Sequence, residues 1–185
     1  DFGEMMFTHK GITGPLVLSA SSSIGKQLKK QGTLEGYIDL KPALSSEQLD
    51  ERILREFENA KNKQFKNVIG VLFPSSLTPV IIRLGGIPED KVIHEISREE
   101  RLNFVSIIKA FPFTIDGLGG YSEAVITKGG ISVKEINPGT MESKKIPQLY
   151  FVGEVLDLDA VTGGYNLQIA WSTGYLAGMA VSENI

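Results

Sequence analysis

The chain has 185 residues, 42% hydrophobic and 22% charged, with a formal net charge of -3. That length supports one core or two small ones sharing a boundary. The acidic balance argues against nucleic acid as a partner, because gripping a phosphate backbone takes a concentrated excess of Lys and Arg. The absence of cysteine excludes disulfides, thiolate metal sites and a Cys nucleophile, and two distant histidines, His9 and His94, give no basis for a histidine-held metal. No apolar run reaches the roughly 18 residues of a membrane span, and nothing resembles a signal peptide. A cytoplasmic protein without a membrane partner is expected. The first residue is Asp1, so further residues are expected ahead of it.

Taken in order, residues 4–9 are expected as a strand, followed by punctuation at Gly11-Ile12-Thr13-Gly14-Pro15. Thr13 is the expected cap of a helix with Pro15 in its first turn, running to about Leu28 with Leu16, Val17, Leu18, Ala20 and Ile24 on its apolar face. Residues 36–40 alternate like a half-buried strand and end at Lys41-Pro42. From Ser45 the composition changes. Leu49, Ile53, Leu54 and Phe57 have helical spacing, and Phe65, Val68, Ile69 and Leu72 form a second apolar set before Pro74, Pro79 and Pro88 divide the segment into short helices. Ser97-Arg98-Glu99-Glu100 has the pattern of a capping box ahead of one more helix.

Residues 111–116, 121–127 and 131–136 are expected as strands, with turns at Asp116-Gly117 and Lys128-Gly129-Gly130. A last strand, Tyr150 to Val152, meets Gly153-Glu154, and Gly163-Gly164 opens a helix running to Ala180. The expected fold class is α+β: a β-rich domain (1–44 and 110–136) interrupted by a helical domain (45–109), then a C-terminal piece (137–185) with the strand and helix of a nucleotide-binding sheet.

Five motifs can carry chemistry. Glu154, just past a strand end, can accept hydrogen bonds from cofactor hydroxyls, or it is a solvated glutamate after a turn. Gly163-Gly164-Tyr165-Asn166 offers N–H groups at a helix start to an electron-rich group, or is a glycine loop capped by Asn166. Thr127-Lys128-Gly129-Gly130 can bring backbone close to a planar ring, or is an ordinary hairpin turn. His9 is the one histidine in a motif-like context, a candidate general base with no visible Ser or carboxylate partner and otherwise a structural residue. Asp157 and Asp159 form either a carboxylate pair or a solvated acidic loop.

Three blocks together resemble the bacterial BaiN-like, or aminoacetone-oxidase-like, family of FAD-dependent flavoproteins. They are Gly3-Glu4 through Phe7-Thr8-His9 to Gly14-Pro15; Thr127 to Gly130 with Glu135 and Thr140-Met141-Glu142-Ser143; and Gly153 to Gly164-Tyr165-Asn166-Leu167-Gln168. The resemblance implies a Rossmann-type FAD domain interrupted by a β-rich domain, itself interrupted by a small helical domain. It implies FAD as cofactor, a small-molecule substrate, and reduced nicotinamide or oxygen as redox partner. It places Gly153 and Glu154 near the ribityl and pyrophosphate, Gly164, Tyr165, Asn166 and Leu167 at the flavin pyrimidine edge, and Thr127, Gly129 and Gly130 against the ring. The family's Gly-rich ADP-binding segment has no counterpart in these residues, so the chain reads as the C-terminal portion of an oxidoreductase with little hold on FAD by itself. The rival reading is a non-catalytic assembly module that presents the helices of 45–109 to a partner.

Overall fold

The computed structural model describes residues 1–183, and these form a mixed helix-and-sheet protein with six α-helices and two small sheets. The chain divides into two compact units, one made of Asp1–Gly32 and Asp116–Ile185, the other of Thr33–Ile115.

The first unit opens with a two-residue hairpin, β1 (Met6–Phe7) antiparallel to β2 (Ile12–Thr13), with Met6 opposite Thr13. The strand expected over 4–9 is therefore cut to its centre. Helix α1 (Pro15–Gln31) has Pro15 in its first turn as expected, but Thr13 is not its cap. Thr13 is occupied in the β2 ladder, and Gly14 takes the cap position at φ 111°, where a Cβ would stand 3.0 Å from Glu4 O and Met5 Cα. The helix also runs past Leu28. Lys29 and Lys30 favour its negative end, and Gly32 closes it at φ 81° with its N–H donated to Leu28 O.

The second unit is built on β3 (Leu34–Ile38) paired antiparallel with β4 (Phe111–Ile115), with the helices α2 (Ser46–Glu58), α3 (Lys66–Ile69), α4 (Thr78–Gly85) and α5 (Arg98–Lys109) between them in sequence. Both long helices start with reciprocal capping boxes. Ser45 accepts from Gln48 N–H while the Gln48 side chain takes Ser45 N–H, and Ser97 and Glu100 do the same for α5. Leu49, Ile53 and Phe57 on α2 are buried with Phe65, Ile69, Ile81, Phe104 and Ile108, and Phe104 meets Phe65 edge-on with centroids 5.1 Å apart. Asp50 and Arg101 tie α2 to α5 through two hydrogen bonds of 2.6 and 3.2 Å.

The first unit resumes at Asp116 with long irregular stretches. The strands expected at 121–127, 131–136 and 150–152 are absent among the described residues. Residues 116–130 are irregular, with a turn at 121–123 and a bend at 125–126, and the other two segments hold only single bridges: Ile131 with Leu156, Ile136 with Ser143, and Glu142 with Tyr150. Their alternating residues find no continuous ladder, because 3-10 turns at Val133–Glu135 and Gly153–Val155 break the extended backbone on either side. A small core of Ile136, Met141, Leu156 and Ala177 gathers these pieces onto helix α6 (Tyr165–Glu183).

Candidate functional site

The site residues of the first unit lie on three loops tied by hydrogen bonds around the start of α6. Gly153 adopts φ 65° and donates its N–H to Thr173 Oγ1 at 2.9 Å, and that hydroxyl donates to Ile169 O at 2.7 Å. One threonine on the buried side of α6 thus fixes the Gly153 turn. Ile131 N–H donates to Val155 O at 2.9 Å and Asp157 N–H to Ile131 O at 2.8 Å, which docks the Gly129-Gly130 loop on the 153–157 segment. Gly130, at φ 137°, leaves no space for a side chain, since a Cβ would run into Val155 O. The close approach made by Gly130 is therefore to protein backbone.

Asn166 clamps the loop ahead of it. Its Oδ1 accepts from Ala160 N–H at 2.9 Å and its Nδ2 donates to Ala160 O at 3.0 Å, so the amide spans both backbone groups of one residue. The expected cap is instead a brace. Gly163 and Gly164 adopt φ 122° and 89°, turning the chain into α6, whose first turn holds no acidic residue. The N–H groups of Tyr165, Asn166 and Leu167 precede the first intrahelical acceptors and carry the positive end of the helix. Tyr165 and Leu167 are exposed, and so is Glu154, which lies on the 3-10 turn Gly153–Val155 and whose side chain has no hydrogen bond or ion pair among the described residues.

Lys128 joins this assembly through its side chain, to which the turn motif Thr127-Lys128-Gly129-Gly130 gave no role. Its ammonium donates to Ser22 O at 3.0 Å and Ser22 Oγ at 2.9 Å and stands 3.5 Å from Asp159 Oδ1, while Ser22 donates its hydroxyl to Asp159. With its charge matched by Asp159, Lys128 is a tie between α1 and two loops rather than a base for Ser22. Asp157 and Asp159 therefore part company: Asp159 is the half-buried anion of this tie and Asp157 is exposed. Thr162 Oγ1 adds a link to Ser19 Oγ at 3.2 Å. Thr127 is exposed beside the tie, whereas His9 sits in the exposed β1–β2 turn without a hydrogen bond or ion pair among the described residues. Among the described residues no cluster of His, Asp and Glu is fit to hold a metal, and no helix is long and apolar enough to cross a membrane.

A family model for the HI0933-like protein barrel and H2TH domain matches residues 1–126. The chain belongs to the HI0933-like family. It is 36% identical over 98% of its length to a ribosomal RNA dihydrouridine synthase of Haemophilus influenzae, covering 43% of that protein. It is 31% identical over 99% of its length to a 3-dehydro-bile acid delta(4,6)-reductase of Clostridium scindens, covering 45% of it, and 34% identical over 93% to the Escherichia coli ribosomal RNA dihydrouridine synthase, covering 40%. The chain spans less than half the length of the curated relatives it matches. The BaiN-like resemblance is borne out, and the HI0933-like family is related to FAD-dependent oxidoreductases such as the bile acid reductase.

Proposed function

We propose that the chain forms the flavin-edge and substrate-side portion of an FAD-dependent reductase, with its last strand-like segment and α6 belonging to a Rossmann-type FAD domain. The observation that carries the reading is the cross-tied set of loops 127–130, 153–157 and 157–166, which gathers the glycines and the α6 start into one place. The residues present fit a planar, electron-rich group: Gly129 and Gly164 hold positive φ with no atom within 4 Å of where a Cβ would stand, and both leave backbone open to a ring. FAD, when bound, supplies hydride taken from reduced nicotinamide. The chain's own part is to present N–H groups at the α6 start to the pyrimidine edge and to hold those groups in place through Asn166, Thr173 and Lys128.

The substrate class we propose is a carbon–carbon double bond conjugated to a carbonyl, a chemistry common to forming dihydrouridine and to reducing a delta(4,6) steroid. Hydride adds to the carbon beta to the carbonyl, a proton adds to the alpha carbon, and the nicotinamide leaves oxidised. Among such substrates we favour uracil in RNA, supported by the two relatives at 36% and 34% identity that carry ribosomal RNA names. The cysteine-free chain suits a reducing cytoplasm. The test is to purify the protein at the full length of its relatives, load it with FAD, and separate free cofactor by gel filtration. Retained flavin absorbance that nicotinamide bleaches and a uridine-containing ribosomal RNA restores is expected. Absence of retained flavin refutes the cofactor reading, and bleached flavin that only a steroid dienone reoxidises refutes the RNA reading.

A further inference from the structure

The second unit carries a hollow of about 310 Å³ that the flavin reading does not use. That is the lower end of the size range of small-ligand clefts, about 300–1,000 Å³. Lys41 stands at its edge where β3 turns into α2, Arg52 and Arg55 project one turn apart from α2, and Leu44, Leu49 and Val71 complete the wall. Leu49 is fully buried at the base, while Val71 is 63% exposed. Three cations thus share one concavity with an apolar surface.

Four carboxylates of the neighbouring elements are already engaged, while Glu51 and Glu58 on α2 are exposed. Asp39 pairs with Lys109 at 2.5 Å, Asp50 with Arg101 at 2.6 Å, and Glu56 with Arg52 at 2.9 Å. Glu47 is turned back onto Ser45 Oγ at 2.8 Å. Lys41 and Arg55 take part in no ion pair among the described residues; the Lys41 ammonium lies 5.4 Å above the Phe73 ring. A hollow that keeps two cations unneutralised beside an exposed valine suits a ligand with a monoanionic group and an apolar flank. A phosphodiester with its attached ribose has both.

We propose that Lys41, Arg52 and Arg55 anchor a phosphodiester of an RNA substrate on the helical unit. The inference rests on the RNA reading of the function and assigns the helices a role in holding that substrate. It is also consistent with the net charge of -3, because the contact is one local cationic hollow rather than a basic face. Arg52 and Arg55 are exposed and Lys41 is half-buried, and thermal melting and retained flavin check the folding of each variant independently.

Binding of the flavin-loaded, full-length protein to a uridine-containing ribosomal RNA fragment is measured across a salt series, with Lys41→Ala, Arg55→Ala and Arg55→Lys variants and inorganic phosphate as competitor. Each alanine variant is expected to bind about tenfold more weakly with the salt slope reduced by about one, and Arg55→Lys to recover most of the loss. Wild-type binding with unchanged affinity and slope in both alanine variants overturns the hollow and leaves the RNA reading standing. No wild-type binding to RNA overturns both. Displacement of the RNA by inorganic phosphate at comparable concentration identifies a free-phosphate site and overturns the RNA assignment.

Discussion

Replacing Asn166 by alanine removes a brace whose cost can be worked from two bonds. The amide accepts from Ala160 N–H at 2.9 Å and donates to Ala160 O at 3.0 Å, in a part-buried setting. Truncation leaves both backbone groups to find water. A lost hydrogen bond with a stranded partner costs about 1–3 kcal/mol, and water reaching the exposed flank of the loop keeps the sum near that range. At about 1.4 kcal/mol per factor of ten, local opening of the loop becomes about 5- to 150-fold more frequent, with little change in global stability. Amide hydrogen exchange read at Ala160 by mass spectrometry or NMR measures this directly. Asn166→Asp keeps the acceptor for Ala160 N–H and should lose less protection than alanine. Exchange at Ala160 within twofold of wild type in the alanine variant would show that the brace does not hold the loop, and the positioning role given to Asn166 would fall with it.

Two further outcomes follow from the helical unit. Gly85→Ala places a methyl group 2.8 Å from Phe104 Cε2, on a ring that is fully buried. Overpacking of about 1–3 kcal/mol outweighs the gain in helix propensity of at most about 1 kcal/mol, so thermal melting should fall; a melting temperature at or above wild type refutes the packing argument. Glu100 is held below the ordinary carboxylate value by its hydrogen bond from Lys91 Nζ at 2.6 Å and then by Ser97 N–H at 2.8 Å. Because the folded value is the lower one, its stabilisation is complete above the ordinary value and is lost as pH falls through the depressed one. Urea midpoints of wild type and Glu100→Gln should therefore converge on acidification from about pH 6 to about pH 3, and a constant gap contradicts the linkage.

The helical unit was largely legible in the sequence, because its signals are local. Ser45 with Gln48 and Ser97 with Glu100 announce helix starts three residues apart, and Leu49, Ile53 and Phe57 repeat every turn. The strand expected at 36–40 forms two residues earlier, since its register is set by a partner more than 70 residues away that lays Phe113 across Gly36. Alternation at 121–127 and 131–136 misled for the same reason: a strand exists only where a ladder partner does. At the site, the glycines and the α6 start were visible as motifs, and Asn166 was visible as a residue but not as a brace. Thr173 stands beside Ser172 in a largely apolar run, and nothing in the sequence says which of the two hydroxyls meets the Gly153 turn. The Lys128, Asp159 and Ser22 tie joins positions over 100 residues apart, and nothing local marks it.

The pairing of Leu34 with Ile115 has a consequence for how such a chain can be rearranged. The helical unit begins and ends on adjacent strands, so its two ends lie within one interstrand spacing, about 5 Å. To the rest of the chain, everything from Thr33 to Ile115 is topologically a single hairpin turn grown large. Such a cassette can be lifted out and its stumps rejoined by a few residues, or recast with new termini at an exposed inter-helix turn, without asking the remaining backbone to move. As far as chain continuity goes, the helices can be exchanged while the residues on either side keep their sequence.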